Sequence, residues 1–290
     1  MDPSKVNAGV MAHADLCFIL DTEEWVEEKP YRIVGPLPED QETARTNIKT
    51  EIRSSVPIYD SRPRKADFSL DVHGFEYVPY EPQGQISSAT DVDTHLRNVA
   101  GFLKNKFQTQ HVYPYDLRVR SAQGADTERT DIRNQAIDVV NLIHADLSRN
   151  GAQTRFKLHL QPQELEELFT PRWRARVINT WIPIANPAVD YPLILGDRRT
   201  FTEEDLIATD QVMPDFVGEF LHPKFSKTQV WYSLPEQRTD EMVLFASFDS
   251  AVPGNRGACA HGTFRNPLAA PDVPRRKSVE TRSLVFTRQE

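Results

Sequence analysis

Two cysteines in 290 residues, Cys17 and Cys259, stand far apart, and neither belongs to a Cys-x-x-Cys pair. That excludes a zinc ribbon and a disulfide framework, and it fits a reducing compartment. No apolar run approaches the roughly 20 residues that span a bilayer. The N-terminus lacks the charged-then-apolar layout of a signal peptide, so the expectation is a soluble, cytoplasmic protein with no membrane partner. Positive charge is in deficit: 34 Lys and Arg stand against 42 Asp and Glu, for a net charge of −8. Nucleic acid is therefore not the expected partner, although a local basic pocket for a small acid remains compatible. No Gly-x-Ser-x-Gly elbow appears, which removes most support for a serine hydrolase. No Gly-x-Gly-x-x-Gly follows a strand, which removes a dinucleotide enzyme. Glycine is scarce, at 12 residues against 21 prolines, which favours loops and strand ends over long helices.

What is present reads as globular, with 39% apolar and 26% charged residues. "DVDTHLRNVAGFLKNKF" (91–107) places Leu96, Val99, Phe102 and Leu103 at helical spacing. "TDIRNQAIDVVNLIHADLS" has Ile132, Ala136, Val139 and Val140 at similar spacing, though its end reads equally as a strand opening into a loop after Asp146. "PQELEELF" is a short helix. "TEEDLIAT" begins with a near capping box and predicts another. "HVYPYDLRVRS", "RARVINTWIPI", "DYPLILGDRRT", "QVWYSL", "EMVLFASFDS" and "SVETRSLVF" read as strands. Residues 31–90 are loop-rich, with one or two short strands in "ADFSLDVHGFEYVPY". The fold expected is mainly β with flanking helices: a double-stranded β-helix, or jelly roll, with N-terminal helices and loops. Its domain layout is one unit, 1–290, with 1–90 as an extension packed on a 110–290 core that carries the metal site.

His-Ala-Asp-Leu occurs twice, at His13 and at His144. His-x-Asp alone is a weak signal, because chance supplies it. Two His and one carboxylate, however, hold Fe(II) on one face and leave the opposite positions open. On a jelly roll the second His comes from a later strand. His261, in "RGACAHGTFRNP", lies in the β-rich second half and pairs with His144 and Asp146 more naturally than with His13. The His13-Ala14-Asp15 copy, at the start of an N-terminal strand, reads as structural. The last strand, "RRKSVETRSLVF", puts Arg276, Ser278, Glu280 and Arg282 on one face by alternation. An Arg-x-Ser pair there can grip a carboxylate through a guanidinium fork and a hydroxyl. A cofactor set of Fe(II), 2-oxoglutarate and O2 follows.

The same residues resemble a known family. The blocks "EKPYR", "FSLDVHGFE", "IHADLSRNGAQTR", "RVINTWIPI", "DYPLILGDRRT", "WYSL", "FASFDS", "CAHGTF" and "RRKSVETR" are similar, in order and spacing, to the fungal and bacterial group that includes gibberellin desaturase, the cephalosporin 7α-methoxylation component and an aziridine-forming amino-acid oxygenase. The resemblance implies a non-haem iron, 2-oxoglutarate-dependent oxygenase of secondary-metabolite biosynthesis. It carries the family's His-x-Asp onto His144 and Asp146, its distal His onto His261, and its Arg-rich strand motif onto Arg276 to Arg282. Cys259-Ala260-His261 lacks the family's usual Pro before His, Gly262 replaces a Thr and Lys277 a Glu, which leaves the substrate open.

On this reading Arg276 and Ser278 take the far carboxylate of 2-oxoglutarate. Arg282 orients Asp146 or meets the other carboxylate. Asn179 hydrogen-bonds the co-substrate, and Trp181 lines the pocket or packs the core. Arg118 and Arg120 face an acidic substrate or form a solvated edge, and Cys259 is a small buried hydrophobe. The expected partner is a small-molecule substrate, with a homo-oligomer left open. Two rival readings stand beside it: a zinc hydrolase on the same sheet, since His2Asp also suits Zn2+, and a non-catalytic accessory of a tailoring enzyme.

Overall fold

The structure, a computed structural model, describes residues 9–82, 89–122 and 141–289. Its core is a pair of five-stranded sheets. The first has the order β1 (Val10–Ile19), β3 (Thr50–Asp60), β10 (Trp231–Ser233), β7 (Leu193–Gly196), β12 (His261–Thr263). The second has the order β4 (Phe75–Pro79), β11 (Glu241–Asp249), β6 (Trp173–Pro183), β13 (Lys277–Arg288), β5 (Val112–Ser121). Within them only the β3–β10 contact is parallel. A small third sheet joins β2 (Tyr31–Ile33), β8 (Leu206–Val212) and β9 (Val217–Pro223). The two large sheets share an aromatic core in which Phe75, Trp181, Val243 and Phe245 of the second meet Leu193, Leu195 and Tyr232 of the first. This is the jelly-roll arrangement.

β6 is buried along Ala175–Pro183 without alternation, because both of its faces are covered. Outward, Ile178 and Ile182 pack with Val99 and Leu103 of the helix α3 (Ala89–Phe107). Those are two of the residues whose spacing predicts that helix. Inward, Asn179 and Trp181 face the site. The short helices α1 (Glu24–Glu27) and α2 (Leu70–His73) lie in the connections.

The N-terminal region is not an extension on a 110–290 core. β1 and β3 are two of the five strands of the first sheet, and β4 closes an edge of the second. The reason is burial: Ala12, Ala14, Leu16 and Phe18 alternate along β1 and sit in one cluster with Ile143, Ala145 and Trp231. "TEEDLIAT" also differs from expectation. Its capping box exists, between Thr202 and Asp205, but it holds only the 3-10 turn Glu203–Asp205. The chain then extends as β8, because Leu206 to Val212 pair along their whole length with β9, and that ladder outweighs local propensity. The periodic positions Ile132, Ala136, Val139 and Val140 lie outside the described residues.

Candidate metal centre

The segment before the helix α4 (Arg149–His159) runs extended between strands. Ile143 N donates to Cys17 O, and Ala145 exchanges both backbone bonds with Leu221 of β9. His144 exchanges both with His261 (His144 N to His261 O 3.0 Å, His261 N to His144 O 2.8 Å). Alternation sends Ile143, Ala145 and Leu147 into apolar clusters and turns His144 and Asp146 the opposite way. The reciprocal backbone pair sets the two imidazoles side by side, with centroids 4.3 Å apart.

Ser148 ends the segment. Its hydroxyl accepts from Gly151 N (2.9 Å), capping α4, and donates to the Glu219 carboxylate on β9. A Cβ on Gly151 would meet the Glu219 carbonyl oxygen. Glycine is needed there for α4 to start hard against β9, which fixes where Asp146 stands.

His144 Nδ1 lies 2.9 Å from the Leu142 carbonyl and His261 Nδ1 3.1 Å from the Cys259 carbonyl. Each carbonyl accepts, so each Nδ1 carries the proton and each Nε2 presents a lone pair. Those two Nε2 atoms stand 3.8 Å from Asp146, one near each carboxylate oxygen. His261 Nε2 is buried and meets no hydrogen-bonding partner. Burial, with His261 close by, holds His144 well below its ordinary pKa, which keeps it neutral, as a ligand must be. Burial alone would raise the carboxyl of Asp146. Arg282, together with the two imidazoles and Arg118, outweighs it and holds the group far below the usual carboxylate range. Among the described residues, His144, Asp146 and His261 are the one group of three or more potential ligands, their donor atoms all within 4.8 Å. Two imidazole nitrogens and one carboxylate oxygen, converging with a buried unpaired nitrogen among them, fit Fe(II).

Asp146 is held from both sides. Arg282 Nη2 donates to Oδ1 (2.6 Å). Asn179 Nδ2 (2.6 Å) and Ser247 Oγ (3.1 Å) donate to Oδ2. Asn179 and Arg282 thus both donate to Asp146. The Arg282 guanidinium is shared among Asp146, Glu280 (2.7 Å) and Asp116 (3.0 Å).

Arg276 and Ser278 are fully buried, as is Trp181. Arg276 lies over the Trp181 ring, 5.5 Å from its centroid, and its backbone N–H donates to Asp190. Ser278 Oγ is buried and has no hydrogen-bonding partner. A narrow cavity of about 20 Å³ brings His144, His261, Trp181, Arg276, Glu280 and Arg120 to one space. Sequence reasoning missed Asp116 and Ser247, and it placed Glu280 on the right face without a role. Alternation in "YDLRVRS" was a usable signal for Asp116, since it puts Asp116, Arg118 and Arg120 opposite Arg282, Glu280 and Ser278 of β13. For Ser247, in a strand buried throughout, there was none.

His13 and Asp15 point out of β1 into solvent, and Asp15 accepts from Ser55 N (3.2 Å). The first His-Ala-Asp lies outside the metal-ligand group. Cys259 is fully buried, its thiol raised by burial, and it belongs to the aromatic core. No helix among the described residues is long and apolar enough to cross a membrane.

A family model described as an oxidoreductase/YMDC permease-like domain matches residues 16–286. The chain belongs to that family. The Fe(II)/2-oxoglutarate-dependent dioxygenase nvfI of Aspergillus novofumigatus is 28% identical over 97% of this chain and 99% of its own length. The hydroxylase/desaturase CTB9 of Cercospora beticola is 27% identical over 82% and 78%. A solved structure of the iron and alpha-ketoglutarate-dependent endoperoxidase NvfI superposes with a TM-score of 0.77 at 25% identity, covering 96% of this chain and 98% of that one. The protein is an Fe(II)/2-oxoglutarate-dependent oxygenase acting on a small molecule, in a family of fungal secondary metabolism. The zinc-hydrolase and accessory readings give way to it.

Proposed function

We propose that His144, Asp146 and His261 are the ligands through which this oxygenase holds Fe(II), and that Arg276 and Ser278 hold the far carboxylate of 2-oxoglutarate. The observation that carries the reading is the convergence of two Nε2 atoms on one carboxylate that is already fixed by Arg282, Asn179 and Ser247. Bound there, Fe(II) with 2-oxoglutarate and O2 supplies the oxidising power that removes hydrogen from a substrate C–H bond.

The chain's own residues do the positioning. The Leu142 and Cys259 carbonyls hold both Nδ1 protons and so aim both Nε2 atoms. Arg282 keeps Asp146 ionised and fixes its rotamer. Arg276 brings a buried positive charge to the same cavity, and the Ser278 hydroxyl beside it is unpaired and buried, which suits one end of a dicarboxylate. Trp181 and Leu193 close that cavity with apolar surface. Strands from residues 10 to 288 build both sheets, so we read 1–290 as one oxygenase unit. Hydroxylation, desaturation and oxidative cyclisation all begin with hydrogen removal.

The test is 2-oxoglutarate consumption with O2 uptake, alongside iron content, in wild type, His261→Ala and Arg276→Met. The reading expects His261→Ala to lose iron and turnover together. It expects Arg276→Met to keep iron and lose 2-oxoglutarate binding. Full iron occupancy in His261→Ala would overturn it.

A further inference from the structure

2-Oxoglutarate has two carboxylates. Arg276 and Ser278 suit the far one. The near one goes to the metal through one oxygen, and its other oxygen needs a donor once it is buried.

The cavity at the two histidines holds a second arginine. Arg120 lines it together with His144, His261, Arg276 and Glu280, and it is only 8% exposed. The pairing of β5 with β13 sets Arg120 directly opposite Ser278. Ser278 therefore stands between two arginine positions: Arg276, two residues earlier on its own strand, and Arg120 across from it. The Ser278 hydroxyl is buried without a hydrogen-bonding partner, which marks the space between them as a place for a ligand oxygen.

Arg276 lies over Trp181, and its backbone is tied to Asp190. Arg120 is coupled to the metal centre instead. Burial, with Arg118 and Arg282 nearby, works against its charge, while Glu280 and Asp146 work for it. The donors that hold Asp146 are Arg282, Asn179 and Ser247. Arg120 is outside that set, yet it shares a cavity with both imidazoles. A guanidinium has five N–H donors, so Arg120 can keep its protein partners and still meet one more oxygen.

We propose that Arg120 donates to the carboxylate through which 2-oxoglutarate chelates the metal, so that Arg120 and the Arg276–Ser278 pair take opposite ends of one co-substrate. This rests on the metal and co-substrate assignments made above.

The test is anaerobic titration of Fe(II)-loaded protein with 2-oxoglutarate, read by the visible charge-transfer absorption of the chelate. In that transition an electron moves from the metal onto the keto acid. A cation at the near carboxylate eases the transfer, and a cation at the far carboxylate, several bonds away, does so much less. Arg120→Met should weaken 2-oxoglutarate roughly tenfold or more, the loss of one charge-assisted hydrogen bond, and should move the band to shorter wavelength. Arg120→Lys keeps the charge and should return the band towards its wild-type position. Ser278→Ala, at the far end, should weaken binding and leave the band in place. A merely structural role for Arg120 would lower the melting temperature without moving the band. Unaltered affinity or an unmoved band in Arg120→Met would overturn the contact, as would an equal band shift in Ser278→Ala. If Arg120→Met fails to fold or to bind, Arg120→Gln decides by the same band shift. A wild-type protein with no band would overturn the metal assignment itself, which is a different failure.

Discussion

Replacing Arg282 by Met takes one shared cation from three carboxylates, of which Asp116 keeps its ion pair with Arg118. The side chain is buried and ion-paired to Asp146, Glu280 and Asp116 at 2.6, 2.7 and 3.0 Å. Each charge-assisted hydrogen bond is worth about 1.5–3 kcal/mol. Their sum overstates the loss, because bared carboxylates take up protons instead of staying charged. Breaking a buried pair costs about 3–5 kcal/mol. At about 2 °C per kcal/mol for a chain of this length, the metal-free protein should melt roughly 6–10 °C lower near pH 8.

The pH dependence has a definite sign. In wild type Asp146 is held below its unfolded pKa, so it contributes stability above the ordinary carboxylate range and loses it only in acid. In the variant Asp146, buried without its cation, moves above its unfolded value, at about 1.4 kcal/mol per unit. That penalty is fully present at high pH and is relieved as pH falls. Calorimetric melts at pH 8 and pH 5.5 should therefore show a smaller deficit at pH 5.5. A deficit under about 2 °C, or one equal at both pH values, would refute the reasoning.

Gly151→Ala drives a methyl into the Glu219 carbonyl and should cost about 1–3 kcal/mol by overpacking, read by denaturant unfolding. It should also weaken metal binding, because the same contact places Asp146. Arg276→Met should raise the 2-oxoglutarate KM by roughly 30-fold or more, the loss of a buried charge partner, with iron affinity unchanged in a dialysis assay. His95 and His222 are each held near pKa 4, by burial. The unfolded chain binds those protons first, so stability should fall as pH drops from about 6.5 towards 4, and His95→Phe should flatten that limb in urea titrations.

Much of this was legible from residue patterns. β6, β11 and β13 carry long apolar or alternating runs, and α3 shows its helical spacing plainly. The two histidines and Asp146 emerged from chain order, because a jelly roll needs a late His beside an early His-x-Asp. β3 was not legible: "TEIRSSVPIYD" is polar over most of its length and bends at Ser55, which has φ 61°. Its partners β1 and β10 make it a strand. β8 was hidden by a genuine capping box that serves a single turn. The hydrogen bond from Asn179 to Asp146 could not be read either, because alternation gives the face a side chain takes but not the partner it meets there.

The central claim is that the second His-Ala-Asp, with His261, holds the iron, and the first does not. Anaerobic Fe(II) titration followed by 2-oxoglutarate tests it through the visible charge-transfer absorption of the chelated co-substrate, in wild type, His144→Ala and His13→Ala. The absorption should appear in wild type and His13→Ala and be missing in His144→Ala. Its survival in His144→Ala, or its loss in His13→Ala, would contradict the account.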